Sequence, residues 1–398
     1  MISTNLENVT MGDLLKLQQG NCDAMCFLFS KMECFRQPPL TLKQFVESSP
    51  QYESFFPHSI KTFESFQKDL PRATYFTGCV GKGSTVMAFT LFLFKAYLFT
   101  KLIAPYKYFG HASSTSYKFA IICSARSRKF VGEALRNVMY NTFPNLFTHD
   151  INNLQEDQIG YEMYPDEDNL IRFHWLQDGT KKTLDVLRLW VDREGSMLGC
   201  SPVYCLCPHL DLTEEEVVED ELLKLIHKAW ARVDARTWTE RFISGICFEM
   251  SPKDVETSAL ENYFYYEFPK VDGAVTYRFG PYYNLFPDKY TALGPLNIVD
   301  YVDLETESLT SQNPNVLHEH IRPVPLEDIG IAKKDIKSYI RDFLGLPTSC
   351  YLENRRRQLK EIVKHVKQVN ADLRLVNGKL YLGIKGTDIT CSLEDIYD

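Results

Sequence analysis

The chain lacks a run that crosses a bilayer. Its most apolar stretch, Val86 to Thr100, is interrupted by Lys95 and falls short of the ~20 apolar residues a spanning helix needs. It reads as a buried helix, and no membrane partner is expected. The first residues, MISTNLENVTMGDLLKLQQG, have no basic region followed by an apolar core, so no secretory leader is expected. Internal repeats and low-complexity linkers are missing too, which excludes solenoids and beads-on-a-string arrays. Positive charge is in deficit: 44 Lys and Arg against 52 Asp and Glu give a formal net charge of −8. That excludes a surface uniformly coated for nucleic acid but permits a local basic groove.

What is present describes a globular protein. With 398 residues, 44% hydrophobic and 24% charged, the chain is long enough for two to three units and for a large core. Eleven cysteines without a leader point to a reducing compartment and mostly buried thiols.

Residues 72–94, RATYFTGCVGKGSTVMAFTLFLF, join a strand-like run to an apolar helical pattern through a glycine-rich turn. A phosphate loop reads G-x-x-x-x-G-K-[ST]. In the frame starting at Gly78, Gly83 is the second glycine, Ser84 stands where lysine belongs, and Thr85 follows; the lysine is two places early, at Lys82. Gly78, Gly81 and Gly83 supply the loop, Lys82 a charge, and Ser84 and Thr85 hydroxyls that can hold phosphates and Mg²⁺. A plain turn between strand and helix is the alternative.

Along the chain, 56–71 reads as a helix ended by Pro71, 117–125 as a strand, and 128–140 as a helix with Val131, Leu135 and Val138 on one face. Residues 169–177 and 183–192 look like two strands around Asp178-Gly179, 201–209 and 241–251 like buried strands, and 211–233 like a helix with acidic first turns. Strands alternating with helices after a glycine loop predict an α/β fold with a largely parallel, doubly wound sheet. Residues 260–325, rich in Tyr, Pro and Asn, read as an irregular insertion or subdomain. Residues 354–370 read as a helix, and DLRLVNGKLYLGI as a hairpin turning at Asn377-Gly378.

Three phrases carry a family resemblance. The first is YFTGCVGKGST with its aromatic-rich helix, then YKYFGHASSTSYKFAIICSARSRKFVGEALRNVMYNTFPNLF. The second is EGSMLGCSPVYCLCPHLDLTE followed by DARTWTERFISGICFEMSPKDVE. The third is IRPVPLEDIGIAKKDIKSYIRDFLGLPTS. In this order they resemble the ATPase domain of the large terminase subunit, the DNA-packaging motor of tailed phages, over about residues 50–350. The resemblance implies an additional-strand, RecA-like P-loop fold, ATP and Mg²⁺ as cofactors, and a host-cytoplasmic phage protein. It also implies double-stranded DNA, a portal and a small terminase subunit as partners, and a ring of identical subunits.

Two departures qualify what is implied. The family's second acidic strand ends in Asp-Glu, for metal and attacking water; here Tyr204 to Cys207 runs into Pro208-His209. In a shifted register Asp211 would hold the metal and Glu214 the water; the alternative is an acidic first helical turn. Weak or absent turnover is therefore expected. After Leu346-Pro347 only about fifty residues remain, less than a nuclease domain needs, so the family's nuclease is expected to be absent, on another chain or cut away. Arg236 or Arg241 would sense the γ-phosphate and Ser251 would couple hydrolysis to movement; for each arginine a surface ion pair is the alternative.

Arg126, Arg128 and Lys129 follow a strand end, where ligands collect in open α/β sheets, or form a solvated charge run. Arg355, Arg356, Arg357, Lys360, Lys364 and Lys367 mark the polar side of the 354–370 helix, a DNA path or a plain polar face. Cys200, Cys205, Cys207 and His209 suggest zinc, against buried core cysteines as the alternative. The expected division is 1–70 helical, 71–258 ATPase-like core, 259–350 subdomain, and 351–398 basic helix and hairpin.

Overall fold

The structure, a computed structural model, describes residues 34–36, 38–69, 71–79, 81, 83–124, 127–155, 158–164, 169–190, 202–210, 219–237, 242–291, 295–310, 320–351, 353–354, 356–358, 360–361, 371–376, 379–384 and 390–392. In chain order come α1 (Leu42–Glu47), α2 (Pro57–Asp69), β1 (Ala73–Gly78), α3 (Ser84–Thr100), α4 (Pro105–Phe109), β2 (Lys118–Cys123) and α5 (Ser127–Asn137). Then follow β3 (Phe147–Thr148), β4 (Ile159–Met163), β5 (Asn169–Gln177), β6 (Thr180–Trp190), β7 (Tyr204–Cys207), α6 (Glu219–Thr237), β8 (Gly245–Glu249), α7 (Ala259–Tyr266) and β9 (Ala274–Phe279). The remainder is α8 (Tyr282–Leu285), α9 (Pro287–Thr291), β10 (Ile298–Asp303), β11 (Ser308–Thr310), β12 (Ile321–Pro325), α10 (Ile329–Lys334), α11 (Ile336–Ser338), β13 (Ala371–Val376), β14 (Lys379–Ile384) and β15 (Thr390–Ser392).

Nine strands form the main sheet in the order β3-β4-β5-β6-β2-β7-β8-β1-β9. Its central run, β2-β7-β8-β1-β9, is parallel throughout. The β5–β6 hairpin extends the sheet antiparallel, turning at Asp178 and Gly179, both at positive φ. The fold is therefore α/β with a largely parallel sheet flanked by helices, as expected. β1 is interior, between β8 and β9, and the loop after it opens at the carboxyl edge of the parallel strands.

Alternation along the strands sorts the two faces. Phe76, Phe119, Ile121, Leu206 and Cys247 pack with α3 in one apolar layer. Ala73, Tyr75, Ala120, Ile122, Cys205, Cys207, Ile246 and Phe248 pack in another with Leu222 and Ala229 of α6 and Leu260 and Phe264 of α7. In α3 every residue from Met87 to Thr100 is buried, because α3 lies between the sheet and the layer of Phe45, Phe63, Phe66 and Leu135. Each fully buried Leu or Phe contributes about 1.5–3 kcal/mol. Lys95 survives inside this helix because its ammonium donates to the Phe242 carbonyl and sits 5.8 Å and 5.7 Å from the Phe66 and Phe242 ring centroids.

The stretch 260–325 is more regular than its sequence implies. β9 joins the main sheet beside β1, and β10, β11 and β12 make a separate antiparallel sheet. A small core of Tyr283, Tyr290, Val302, Val324, Tyr339 and Leu344 supports that sheet, with the buried Asp328 accepting from Tyr290 at 3.0 Å. Residues 353–354, 356–358 and 360–361 are helical and β13 pairs with β14 from Val376↔Lys379. Asn377-Gly378 and 362–370 lie outside the described residues.

Candidate functional site

β1 delivers the chain to Gly78, and α3 begins at Ser84. Gly78, Gly81 and Gly83 all have positive φ, at 132°, 74° and 79°, a region glycine enters without a Cβ penalty. At Gly78 packing also demands it: a Cβ would lie 2.0 Å from the Phe279 carbonyl oxygen. The Cys79 amide donates to that same oxygen at 2.8 Å. On the other side Gly345 presses in, since a Cβ there would meet the Cys79 nitrogen at 2.6 Å and the Gly78 Cα at 3.0 Å. The root of the loop is thus clamped between β9 and the GLPTS segment, while Gly81 is exposed with open space around it. Lys82 lies outside the described residues.

Gly83 caps α3, its carbonyl accepting from the Met87 amide at 3.0 Å. The helix is 17 residues long, so its first amides and dipole present positive potential toward the loop. Ser84 and Thr85, in its first turn, face an acid that sequence reading did not single out. Ser84 Oγ donates to Glu249 Oε1 at 2.6 Å, and Thr85 Oγ1 lies 3.4 Å from the same oxygen. Glu249 Oε2 accepts the His209 amide at 3.0 Å, with the imidazole Nδ1 at 3.6 Å. Glu249 is only 4% exposed. The start of α3 and the segment after β7 therefore meet the end of β8 at Glu249, at the carboxyl edge of the sheet, where open α/β folds place ligands.

The reason is register. Cys247 belongs to the α3 layer and Phe248 to the opposite one, so period two returns Glu249 to the α3 side. A lone acid in the apolar run ISGICFEM was the available signal; its meaning depends on β8 lying beside β1.

Beside Gly83 is a cavity of about 190 Å³ lined by Gln51, Phe55, Phe56, Ser59, Val86, Met87 and Thr142. A Cβ on Gly83 would touch the Phe56 ring at 3.2 Å, and Phe56 stacks on His58 with centroids 5.2 Å apart. An apolar, aromatic-walled cavity with one amide side chain beside an anion-favouring helix terminus suits a base attached to phosphates.

Asp211, Glu214, Arg241, Arg126 and Arg355 lie outside the described residues. Arg236 falls in the last turn of α6 and Arg128 in the first turn of α5. Lys129 is exposed, 4.0 Å from Glu133. Arg356 pairs with Glu256 at 2.6 Å; Arg357 bonds Glu267 at 2.9 Å and stacks over Tyr266 at 3.9 Å. Lys360 is exposed. Ser251 is half-buried just past β8.

Beyond it Asp254 accepts from Ser349, Thr348 and Lys337 at 2.6, 3.0 and 3.1 Å. Burial works to raise its pKa, but hydrogen bonds from Ser349, Lys337 and Thr348 outweigh that and hold it at about 2.

The described zinc candidates do not gather into one site. Cys205 and Cys207 sit in the apolar layer under α6 and α7, where burial pushes the Cys207 thiol well above its ordinary value and disfavours a thiolate ligand. His209 turns to Glu249, and Cys200 lies outside the described residues. Among the described residues, Asp303, Glu305 and His320 are the grouping of metal-type ligands within mutual reach. No described helix is long and apolar enough to cross a membrane.

No family model matches the chain, and no curated protein matches it. Several solved structures are similar in part, three of them as follows. A variant of the Thermus phage P74-26 large terminase ATPase domain is 10% identical over 61% of this chain and 89% of its own, with a TM-score of 0.33. The large terminase of a thermophilic bacteriophage is 11% identical over 73% of this chain and 76% of its own, TM-score 0.30. The Phi-28 gp11 DNA packaging motor is 10% identical over 72% and 94%, TM-score 0.26. Likeness at this level carries no inference about chemistry.

Proposed function

We propose that this chain is a terminase-like P-loop ATPase subunit of a phage motor that packages double-stranded DNA. One observation carries the reading: a three-glycine loop leads an interior parallel strand into a 17-residue helix whose first hydroxyls, Ser84 and Thr85, meet a buried carboxylate. ATP would place its phosphates against the loop and helix amides and its base in the cavity at Phe55 and Phe56. Mg²⁺ fits the site, because the hydroxyls and carboxylate there are hard oxygen donors; it would neutralise charge on the phosphates when bound. Arg236 or Arg241 would sense the γ-phosphate, Asp211 and Glu214 would serve metal and water, and Ser251 would couple the site to movement. Residues 71–258, with β9, would carry the ATPase core, and 259–350 would complete it.

Turnover is slow in this reading, because β7 runs into Pro208 and His209. That same observation favours a second reading, a non-hydrolysing terminase-like partner with a structural or DNA-binding role. Portal, small subunit, a separate nuclease chain, a subunit ring and the host cytoplasm belong to the proposal. DNA would run over Arg126, Arg128, Lys129, Arg355, Arg356, Arg357 and Lys360, losing affinity steeply as salt rises.

Thermal melting of the full chain tests nucleotide binding. A ligand at a hundred times its Kd stabilises by about 2.7 kcal/mol, so ATP with Mg²⁺ should raise Tm by a few degrees. An unmoved Tm at millimolar ATP and Mg²⁺ sinks the reading. With binding shown, steady-state turnover on the order of 1 s⁻¹ or more would rule out slow hydrolysis and the second reading.

A further inference from the structure

We infer that Glu249, at the tip of β8, is the acid that secures the divalent cation of this site. The inference rests on the nucleotide reading above and gives Glu249 the metal role that reading assigned to Asp211. Tyr204 to Cys207, the strand next to β8, is followed by proline and histidine, so β7 brings no described carboxylate to the loop. Glu249 does, from one strand nearer β1, since it pairs in register with Phe76 two residues before Gly78.

Its surroundings suit a shared carboxylate. It is nearly buried, yet among the described residues its hydrogen bonds come from two neutral hydroxyls and one amide. A buried carboxylate is costly unless a cation answers it. Among the described residues the group within 4 Å that can carry positive charge is the His209 imidazole, at 3.6 Å. A divalent cation drawn in by phosphates at the start of α3 would supply that charge. The Ser84 contact at 2.6 Å shows that the carboxylate already reaches the first turn of the helix. The His209 amide would keep one oxygen fixed while the other faces Ser84, Thr85 and the cation.

The test measures binding of a fluorescent ATP analogue to the full chain, with Mg²⁺ or with EDTA, and of Mn²⁺ with ATP by electron paramagnetic resonance. In the wild type Mg²⁺ should tighten binding about tenfold or more, equivalent to about 1.4 kcal/mol. Glu249→Gln should leave metal-free affinity equal or several-fold higher, because the repelling carboxylate is gone, and should cut the metal gain to about threefold or less. It should also weaken the bound Mn²⁺ signal. A full metal gain in Glu249→Gln overturns the inference while leaving nucleotide binding intact. A parallel fall with and without metal assigns Glu249 to structure alone and also overturns it. No binding by the folded wild type overturns both readings together. Should Glu249→Gln fail to fold, Glu249→Asp keeps the charge and shortens the reach. It should hold metal-free affinity and shift preference from Mg²⁺ toward the larger Mn²⁺; an unchanged preference contradicts the assignment.

Discussion

Glu249 and Asp254 are both nearly buried carboxylates on the same stretch of chain, at 4% and 9% exposure, and their settings differ. Asp254 has a cation of its own, Lys337 at 3.1 Å, plus two hydroxyls. Lys337 in turn lies 3.4 Å from Glu307, and the Ser349 amide donates to Glu307. That region is closed: it ties the segment after β8 to the GLPTS turn and to the small sheet. Glu249 faces hydroxyls and a helix N-terminus, with the His209 imidazole 3.6 Å away instead of a lysine. A carboxylate with its cation in place holds structure; one facing hydroxyls at an anion-favouring terminus is placed to share a ligand.

The clamp on the loop that Glu249 faces gives the largest expected effect. Gly78→Ala puts a Cβ into the backbone of β9 and should cost about 4 kcal/mol or more. Gly81→Ala, with open space but positive φ, should cost about 1–2 kcal/mol. Urea denaturation of the pair measures the difference; equal losses would show that the clamp is not rigid.

Next, Asp254→Ala removes the acceptor of five hydrogen bonds, from Lys337, Thr348, Ser349 and the Glu256 and Thr257 amides, and leaves Lys337 with Glu307; a loss of about 3 kcal/mol is expected. Glu249→Gln keeps shape and an acceptor and should cost under about 1 kcal/mol. Reversal of that order in urea melts would break the contrast between the two acids.

Asp254 also has a pH signature. The folded pKa of Asp254, about 2, lies below its ordinary 3.8. Its contribution, about 2 kcal/mol, is fully present above pH 4 and is lost as pH falls through 2. Stability measured from pH 5 to 2 should show a step that Asp254→Asn lacks; an identical profile in that variant contradicts the assignment.

The smallest effect is at Arg356, whose pair with Glu256 is half-exposed. Arg356→Ala should change stability by about 0.5 kcal/mol or less. A larger loss in the same urea titration would show that the basic helix is part of the closed region.

The β1–loop–α3 unit was legible in the sequence, because alternation, three glycines and a continuous apolar run each point to one structure. β9 was not: as an outer strand its residues Ala274 to Arg278 are half-buried, so AVTYRF shows no clear inside and outside. Glu249 was hidden for another reason. An acid at the end of an apolar strand acquires meaning only when strand order sets it beside Ser84, and that neighbour is 165 residues away. Gln51 and Phe55 were hidden likewise, since their cavity forms only when the approach to α2 meets the first turn of α3.

The most direct measurement is a crystal structure of the full chain with a non-hydrolysable ATP analogue and Mg²⁺. The account predicts phosphates against Gly81 to Thr85, the base beside Phe55 and Phe56, and a cation between Thr85 or Ser84 and Glu249. Nucleotide bound elsewhere, or an empty loop at saturating analogue, would contradict it.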